Sequence, residues 1–227
     1  MSARPSSPSA PAGMRLFWSS RSPYARKVMV VAHEVGLAER IALVRIRLPL
    51  DDPAAELLHR NPLGQLPTLA LPDGRSLYDS LVICEYLDLL GSGPTMIPVL
   101  PIERIDALHR HALGQGVIDL AIRLLGERMR PIERQIDTQI ERRRIALGRC
   151  FTQLETLAPT LERLAPDVGH VAIATGLGYL DFRLDELHWR HGRPHLAHWF
   201  EQFNQRPSMI ATAFVDDLAA AAAGVKP

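Results

Sequence analysis

The stretch Leu63-Gly64-Gln65-Leu66-Pro67-Thr68-Leu69, followed by Tyr78-Asp79-Ser80, decides the fold of this chain. Pro67 stands at the mouth of a predicted strand, where proline removes a backbone donor and is confined to strand starts, edges and bulges. A cis Leu66–Pro67 peptide is plausible there, because an Xaa-Pro bond prefers trans by only about 0.5–1 kcal/mol. Asp79 and Ser80 fall at the start of a predicted helix, where free N–H groups and the helix dipole hold carboxylates. Together the two segments predict a site that pairs with a peptide-like ligand and binds its acidic end.

Length and composition limit the classes of protein that this sequence can form. A chain of 227 residues can bury one large core or two small ones. The net charge is +1, so we expect neither nucleic acid nor a membrane surface as the main partner. Cys84 and Cys150 are too few and too isolated for a disulfide framework, which favours the reducing cytoplasm. No apolar run approaches the roughly 20 residues needed to span a bilayer.

The first thirteen residues differ in composition from the rest of the chain. Residues 1–13 are rich in Ser, Pro and Ala and lack the apolar core of a signal peptide. We therefore expect a disordered tail. Met14 directly precedes the first predicted strand, so translation could start at Met1 or at Met14.

The first half of the chain predicts an α/β domain at residues 14–91. Ser22 and Pro23 are typical of an N-cap and a first helical residue, and an apolar stripe from Val28 to Val35 follows at helical spacing. The predicted elements are a strand at 15–18, a helix from Ser22 to Gly36, a strand at 41–46, a short helix at 53–60, strands at 67–71 and 75–78, and a helix at 79–90. Their order, βαβ and then ββα, predicts a mixed sheet.

The second half of the chain predicts an all-helical domain at residues 102–227, after a linker at 92–101 that is rich in Gly and Pro. Its predicted helices are 102–126, 132–157, 167–190, 195–205 and 208–222, separated by prolines and glycines. Small residues around the apolar stripe of the third helix indicate a tightly packed central helix. The four histidines between His188 and His198 complete no recognised metal spacing, so we expect no metal.

Four segments resemble the glutathione S-transferase family when they are taken in order. They are Ser22-Pro23-Tyr24-Ala25-Arg26-Lys27-Val28, Asn61-Pro62-Leu63-Gly64-Gln65-Leu66-Pro67, Asp79-Ser80, and Gly178-Tyr179-Leu180-Asp181-Phe182-Arg183. The first is similar to the opening of the serine-type members, and the last to the central helix of a bacterial subgroup. The resemblance covers residues 14–213 and implies a thioredoxin-like α/β N-terminal domain with an all-α C-terminal domain.

The resemblance also implies roles for individual residues. Ser22 would stabilise the glutathione thiolate, with Ser19 and Ser20 as rivals because related classes use a serine a few residues earlier in this loop. The backbone of Leu66 would pair with the cysteinyl unit, and cis Pro67 would hold that backbone edge open. The acidic ends of glutathione would be held by two further sets of residues, the γ-glutamyl end by Asp79 and Ser80 and the glycine end by Gln65.

Two positions depart from the family pattern. Many members have Lys where this chain has Gln65, and the amide of Gln65 can hydrogen-bond a carboxylate but brings no charge. The central helix of the family often opens with Ser/Thr-x-x-Asp. Here Asp167 and His170 take those places, and His170 is a poorer reciprocal partner than a carboxylate in a capping box.

The thiolate chemistry that the resemblance implies requires only a few kcal/mol of stabilisation by the protein. A free thiol has a pKa of about 8.5, and lowering it by two units takes about 2.7 kcal/mol. A hydrogen bond from a hydroxyl to a charged group contributes roughly 1.5–3 kcal/mol, and a helix N-terminus roughly 0.3–2 kcal/mol. One serine at the start of the first helix is therefore sufficient, without a general base.

These observations predict a cytoplasmic glutathione transferase, a homodimer by family resemblance, that conjugates glutathione to a small hydrophobic electrophile. The first alternative is a non-catalytic member that acts in protein interaction or regulation. The second is a glutathione-dependent isomerase, peroxidase or dehalogenase, because the fold does not identify the electrophile.

Overall fold

The computed structural model describes residues 13–46 and 55–216, and these divide into two compact units. The first unit comprises the described residues up to Ile97 together with those from Ala211 onward, and the second comprises Pro98–Ile210. The predicted tail at 1–13 lies almost wholly outside the described residues, as do the start of the predicted helix 53–60 and the end of the predicted helix 208–222.

The first unit is built on a four-stranded mixed sheet, which confirms the predicted thioredoxin-like order. Its elements are β1 (Met14–Trp18), α1 (Pro23–Glu34), β2 (Ile41–Arg45), α2 (Ala55–Arg60), β3 (Thr68–Ala70), β4 (Ser76–Leu77) and α3 (Ser80–Leu90). The strands lie in the order β2-β1-β3-β4, with β1 parallel to β2 and antiparallel to β3, and β3 antiparallel to β4.

The core of this unit follows from the apolar stripes of its helices. Val28, Val31, Ala32 and Val35 are all buried, as their helical spacing predicts. Helix α1 packs against α3. Gly36 adopts φ 74°, a left-handed conformation that favours glycine and ends α1.

The second unit contains helices, as predicted, and no strand within residues 98–210. They are α4 (Pro101–Arg128), α5 (Asp137–Leu161), α6 (Val168–Arg183), α7 (Pro194–Asn204) and α8 (Pro207–Ala211), the last of which ends where the chain returns to the first unit. Helices α4 and α6 form the most extensive helix pair. A Cβ at Gly114 of α4 would lie 2.5 Å from the backbone of Ala172, so this glycine permits the close crossing.

Four predicted helix boundaries in this unit were wrong. The predicted helix 132–157 begins only at Asp137, because Ile132–Arg134 form a separate 3-10 turn. Helix α5 does not break at Pro159 but continues to Leu161, since the lost donor falls in its last turn. The predicted helix 167–190 ends at Arg183, because Asp181 accepts hydrogen bonds from the side chains of Trp189 (2.7 Å) and Arg190 (2.6 and 2.8 Å) and the chain turns to bring them there. The predicted helix 208–222 ends at Ala211.

The start of α6 forms the complete capping box in spite of its unusual partner. The carboxylate of Asp167 accepts hydrogen bonds from the N–H groups of Gly169 (2.8 Å) and His170 (3.1 Å), and Nδ1 of His170 lies 3.2 Å from the N–H of Asp167. Arg110 of α4 pairs with the same carboxylate. Burial alone would raise the pKa of Asp167, but its contacts with His170 and Arg110 outweigh burial and lower it.

Candidate functional site

The register of the sheet brings three predicted site segments to one end of it. Phe17 of β1 lies opposite Thr68 of β3, and Leu69 lies opposite Leu77 of β4. The chain therefore leaves β1 and β4 at the end where it enters β3. Neighbouring strands lie about 5 Å apart, so residues 19–22, 66–67 and 79–80 follow one another across about 10 Å of the sheet.

Residues 19–22, the serine loop, connect β1 to α1. Ser22 is the N-cap of α1, because its hydroxyl oxygen accepts the N–H of Ala25 at 3.2 Å. Its own N–H donates to the carbonyl of Ser19 at 3.0 Å. A hydroxyl has one donor and two acceptor positions. Capping uses one acceptor position, so the O–H of the half-buried Ser22 remains available to donate to a ligand.

The two rival serines have different environments. Ser20 is buried, its hydroxyl receives Nη2 of Arg45 at 3.5 Å, and its carbonyl receives the N–H of Val215 at 3.3 Å. Ser19 is also buried, and its hydroxyl oxygen receives the N–H of Arg21 at 3.4 Å. Ser20 is thus fixed between a strand and the C-terminal segment, whereas Ser22 combines partial exposure with a place at the helix N-terminus.

The Leu66–Pro67 peptide is cis, as the sequence predicted. Fully buried Asn61 fixes the turn before it: the side-chain amide donates to the carbonyl of Gln65 (3.1 Å) and to the hydroxyl of Thr68 (2.9 Å). Within the described ranges the structure records no hydrogen-bond partner for the backbone N–H or carbonyl of Leu66. The result is an open backbone edge beside β3.

Asn61 belongs to the quoted motif Asn61–Pro67, but its hydrogen bonds in this turn were not predicted. The signal was available, because an asparagine before a proline-rich turn commonly bonds the backbone. Gln65 itself is exposed, and its backbone carbonyl, not its side chain, takes part in this turn.

Asp79 and Ser80 stand at the N-terminus of α3, after a cis Tyr78–Asp79 peptide. Asp79 is the N-cap, because its Oδ1 accepts the N–H groups of Leu81 at 3.0 Å and Val82 at 3.4 Å. Ser80 is only 2% exposed. Among the residues that the structure describes, neither the hydroxyl nor the N–H of Ser80 has a hydrogen-bond partner.

Two basic residues of α1 are buried close to the serine loop, and their burial was not predicted from the sequence. Arg26 is 6% exposed and Lys27 is 1% exposed. Burial lowers the pKa of Arg26 to about 10, so its guanidinium is still charged at neutral pH. It lies over the ring of Phe214, 4.4 Å from the ring centre. Nothing in the local pattern marks these cations as buried.

The two cysteines lie on helices, Cys84 one turn after Ser80 in α3 and Cys150 in α5. Cys84 is buried in α3, and burial raises the pKa of its thiol to about 12. Cys150 of α5 is half-buried, and burial also raises its pKa. Both thiols are therefore neutral near pH 7, which fits packing residues and not nucleophiles.

In residues 13–46 and 55–216 no helix combines the length and apolar character that crossing a membrane requires. In the same residues no three His, Cys, Asp or Glu side chains gather as ligands of a metal ion would.

The architecture is that of a thioredoxin-like unit extended by a helical unit, and known proteins narrow the class further. Residues 21–90 match the model of the glutathione S-transferase N-terminal domain. The chain is 30% identical over 201 residues to the uncharacterised GST-like protein YibF of Escherichia coli K12, which covers 88% of this chain and 98% of that protein.

Two solved structures extend the likeness to the whole fold. A glutathione transferase family member from Pseudomonas fluorescens Pf-5, with bound glutathione, has a TM-score of 0.85 and 38% identity over 88% of this chain and 98% of that one. A glutathione S-transferase from Methylobacillus flagellatus KT, also with glutathione bound, has a TM-score of 0.80 and 35% identity over 89% of this chain and 100% of that one. The chain belongs to the glutathione S-transferase family.

Proposed function

We propose that this chain binds glutathione on its first unit and stabilises the thiolate through the hydroxyl of Ser22, so that the sulfur can be conjugated to a small hydrophobic electrophile. Two similar proteins of known structure hold glutathione, and the identities of 38% and 35% extend over nearly the whole of each.

The state of Ser80 is the observation that carries the proposal. Ser80 as a residue is only 2% exposed, and neither its hydroxyl nor its N–H has a partner among the described residues, at the N-terminus of an 11-residue helix. Buried polar groups are rarely left unpaired, because each costs about 1–3 kcal/mol. A carboxylate bound there would satisfy both donors and the helix dipole. The γ-glutamyl carboxylate of glutathione has this chemistry, and Oδ2 of Asp79 is available for the neighbouring ammonium.

The open backbone edge of Leu66 is the second contact. An extended peptide can add to such an edge by donating to the carbonyl and accepting from the N–H. The cysteinyl unit of glutathione would pair there, between the γ-glutamyl end at Ser80 and the glycine end, for which we propose the side-chain amide of Gln65. In this proposal the cysteinyl sulfur would lie toward the end of β1, next to Ser22, and the strand order β2-β1-β3-β4 supports that placement.

The reaction that follows needs no cofactor beyond glutathione and no metal. The thiol releases its proton to solvent, and the O–H of Ser22 donates a hydrogen bond to the resulting thiolate. The sulfur attacks an electrophilic carbon, a C–S bond forms, and the leaving group departs with its bonding electrons. A hydrogen bond to a charged group contributes roughly 1.5–3 kcal/mol, enough to lower a thiol pKa by about one to two units.

We also propose that the protein is a cytoplasmic homodimer. The dimer follows from family membership, and light scattering coupled to gel filtration measures it. The compartment follows from two free cysteines and a reduced-thiol substrate, both of which suit a reducing environment.

Calorimetric titration with glutathione tests the proposal, using the wild type, Ser80→Ala and, as a matched control, Ser92→Ala. Ser92 is an exposed serine of the same unit that is not among the proposed ligand contacts. We expect saturable binding by the wild type and the control, and binding about 10- to 100-fold weaker by Ser80→Ala, because a hydrogen bond to a charged group is lost.

Absence of binding at millimolar glutathione would refute the proposal and favour the non-catalytic interaction protein. Equal affinity of the wild type and Ser80→Ala would refute the place assigned to the γ-glutamyl carboxylate. Where binding is found, a panel of alkyl halides, activated alkenes and hydroperoxides distinguishes transferase from dehalogenase and peroxidase activity.

A further inference from the structure

Residues 212–216, which we call the C-terminal strap, lie against the serine loop. The sequence predicted a helix here, but α8 ends at Ala211 and the chain returns to the first unit. The N–H of Val215 donates to the carbonyl of Ser20 at 3.3 Å. The ring of Phe214 faces the guanidinium of Arg26, and Thr212 is buried. The strap thus contacts both the serine loop and the helix that follows it.

The strap contacts Arg26, a cation whose burial costs free energy. A charged group removed from water must be compensated, and the face of an aromatic ring attracts a guanidinium more strongly when the pair is desolvated. Phe214 supplies such a face. In an α-helix the side chain of a residue lies over the preceding turn. The preceding turn of Arg26 begins at Ser22, whose carbonyl accepts the N–H of Arg26 at 3.0 Å.

The contact with Ser20 continues along the loop to Ser22. Ser20 is held at its carbonyl by Val215 and at its hydroxyl by Arg45, so this residue is anchored from two directions. Ser19, on its other side, accepts the N–H of Ser22 through its carbonyl. A displacement of the strap therefore changes the support of a loop that has only four residues.

We propose that the C-terminal strap is a positioning element for thiolate formation, which fixes the serine loop and the charged group of Arg26 so that the hydroxyl of Ser22 is directed at the bound sulfur. Phe214 acts through other residues, so it is a positioning residue. This inference rests on the proposed function, since it concerns the same thiolate.

Phe214→Ala tests the inference, with Phe214→Tyr as the conservative variant that keeps the ring. The matched control is Phe182→Ala, because Phe182 of the second unit is also half-buried and lies 4.1 Å under the guanidinium of Arg183. The thiol pKa of bound glutathione is measured by thiolate absorbance against pH, and affinity is measured separately by calorimetry. Should Phe214→Ala fail to fold, Phe214→Leu, which keeps most of the volume without the aromatic face, takes its place.

We expect Phe214→Ala to raise the thiol pKa by about 0.5–1 unit, which is a 3- to 10-fold loss of thiolate below the midpoint, while affinity changes by no more than a few-fold. Phe214→Tyr and Phe182→Ala should match the wild type. Hydrogen exchange provides a readout that needs no ligand: the amides of Ser22 and Arg26, which are hydrogen-bonded at the loop, should exchange faster in Phe214→Ala.

The outcomes separate the two proposals. A wild type that binds glutathione, together with a thiol pKa unchanged by Phe214→Ala, overturns the role of the strap and leaves the proposed function intact. A wild type that binds no glutathione overturns the proposed function. In that case, if hydrogen exchange of the Ser22 and Arg26 amides is the same in Phe214→Ala as in the wild type, the strap does not stabilise the serine loop, and the second proposal is also overturned.

Discussion

Substitution of Ser22 by Ala and by Asp separates the two roles of its hydroxyl. In the structure the oxygen caps α1 by accepting the N–H of Ala25 at 3.2 Å. In the proposed function the O–H donates to the glutathione thiolate. Alanine removes both the acceptor and the donor. Aspartate keeps an acceptor for the cap, has no donor at neutral pH and adds a negative charge beside the sulfur.

The expected magnitudes differ for stability and for the thiol. Loss of an N-cap to alanine costs about 1 kcal/mol of unfolding free energy, whereas aspartate is as good a cap as serine, so Ser22→Asp should be close to wild type. Loss of a donor to a charged acceptor costs roughly 1.5–3 kcal/mol. Both variants should therefore raise the thiol pKa of bound glutathione by about one to two units, and aspartate by the larger amount.

The assay combines urea unfolding, for stability, with thiolate absorbance against pH, for the sulfur. Ser19→Ala serves as the comparison within the same loop and should leave the thiol pKa unchanged. A Ser22→Asp protein with the wild-type thiol pKa would refute the donor role. If the thiol pKa rose in Ser22→Ala but not in Ser22→Asp, the cap would act through the loop, and no hydrogen bond would be donated to the sulfur.

Three further predictions concern the helical unit. Gly114→Ala should lower the unfolding free energy by about 1–3 kcal/mol, because its Cβ would lie 2.5 Å from backbone atoms of α6. Gly116→Ala should raise the unfolding free energy by about 0.5–1 kcal/mol, because its Cβ would meet nothing within 4 Å. Both values are measured in the same denaturant series. Thr175→Val should raise it by about 1 kcal/mol, since the fully buried hydroxyl has no partner among the described residues; a less stable variant would show that the hydroxyl is paired. Asp167 has a folded pKa below its unfolded value of about 3.9, so its contribution is present above that pH and is lost as the pH falls through the folded pKa. The difference in unfolding free energy between the wild type and Asp167→Asn should therefore be constant near pH 7 and begin to shrink as the pH falls below about 4. A difference that does not change with pH would contradict this.

The first unit could be predicted because its signals are local. Ser22 caps α1 and Gly36 ends it, and both features are set by residues within one turn. The cis peptide before Pro67 follows from a proline at a strand entry. Helix α3 begins after Asp79, which is the N-cap that its residue type predicts.

What the sequence did not reveal depends on contacts between residues far apart in the chain. The end of α6 is set by Asp181 and its partners eight and nine residues later, which compete with continuation of the helix. Arg26 and Lys27 fit the charged face of an amphipathic helix, yet both are buried. The strap is fixed by a hydrogen bond from Val215 to Ser20, and no local pattern at Phe214 predicts a partner so distant in sequence.

At both helix N-termini of the candidate site, the polar side chain of the N-cap has more hydrogen-bonding capacity than capping requires. Ser22 gives one acceptor position to α1 and keeps its O–H, and Asp79 gives Oδ1 to α3 and keeps Oδ2. The capping bonds fix the side chains from which the remaining groups project, so the fold itself orients the proposed ligand contacts. For this reason truncation to alanine confounds stability with binding at these positions. Substitutions that keep the capping acceptor, such as Ser22→Asp and Asp79→Asn, are therefore needed to test whether the remaining group of the side chain binds the ligand. Asp79→Asn should weaken glutathione binding without loss of the cap.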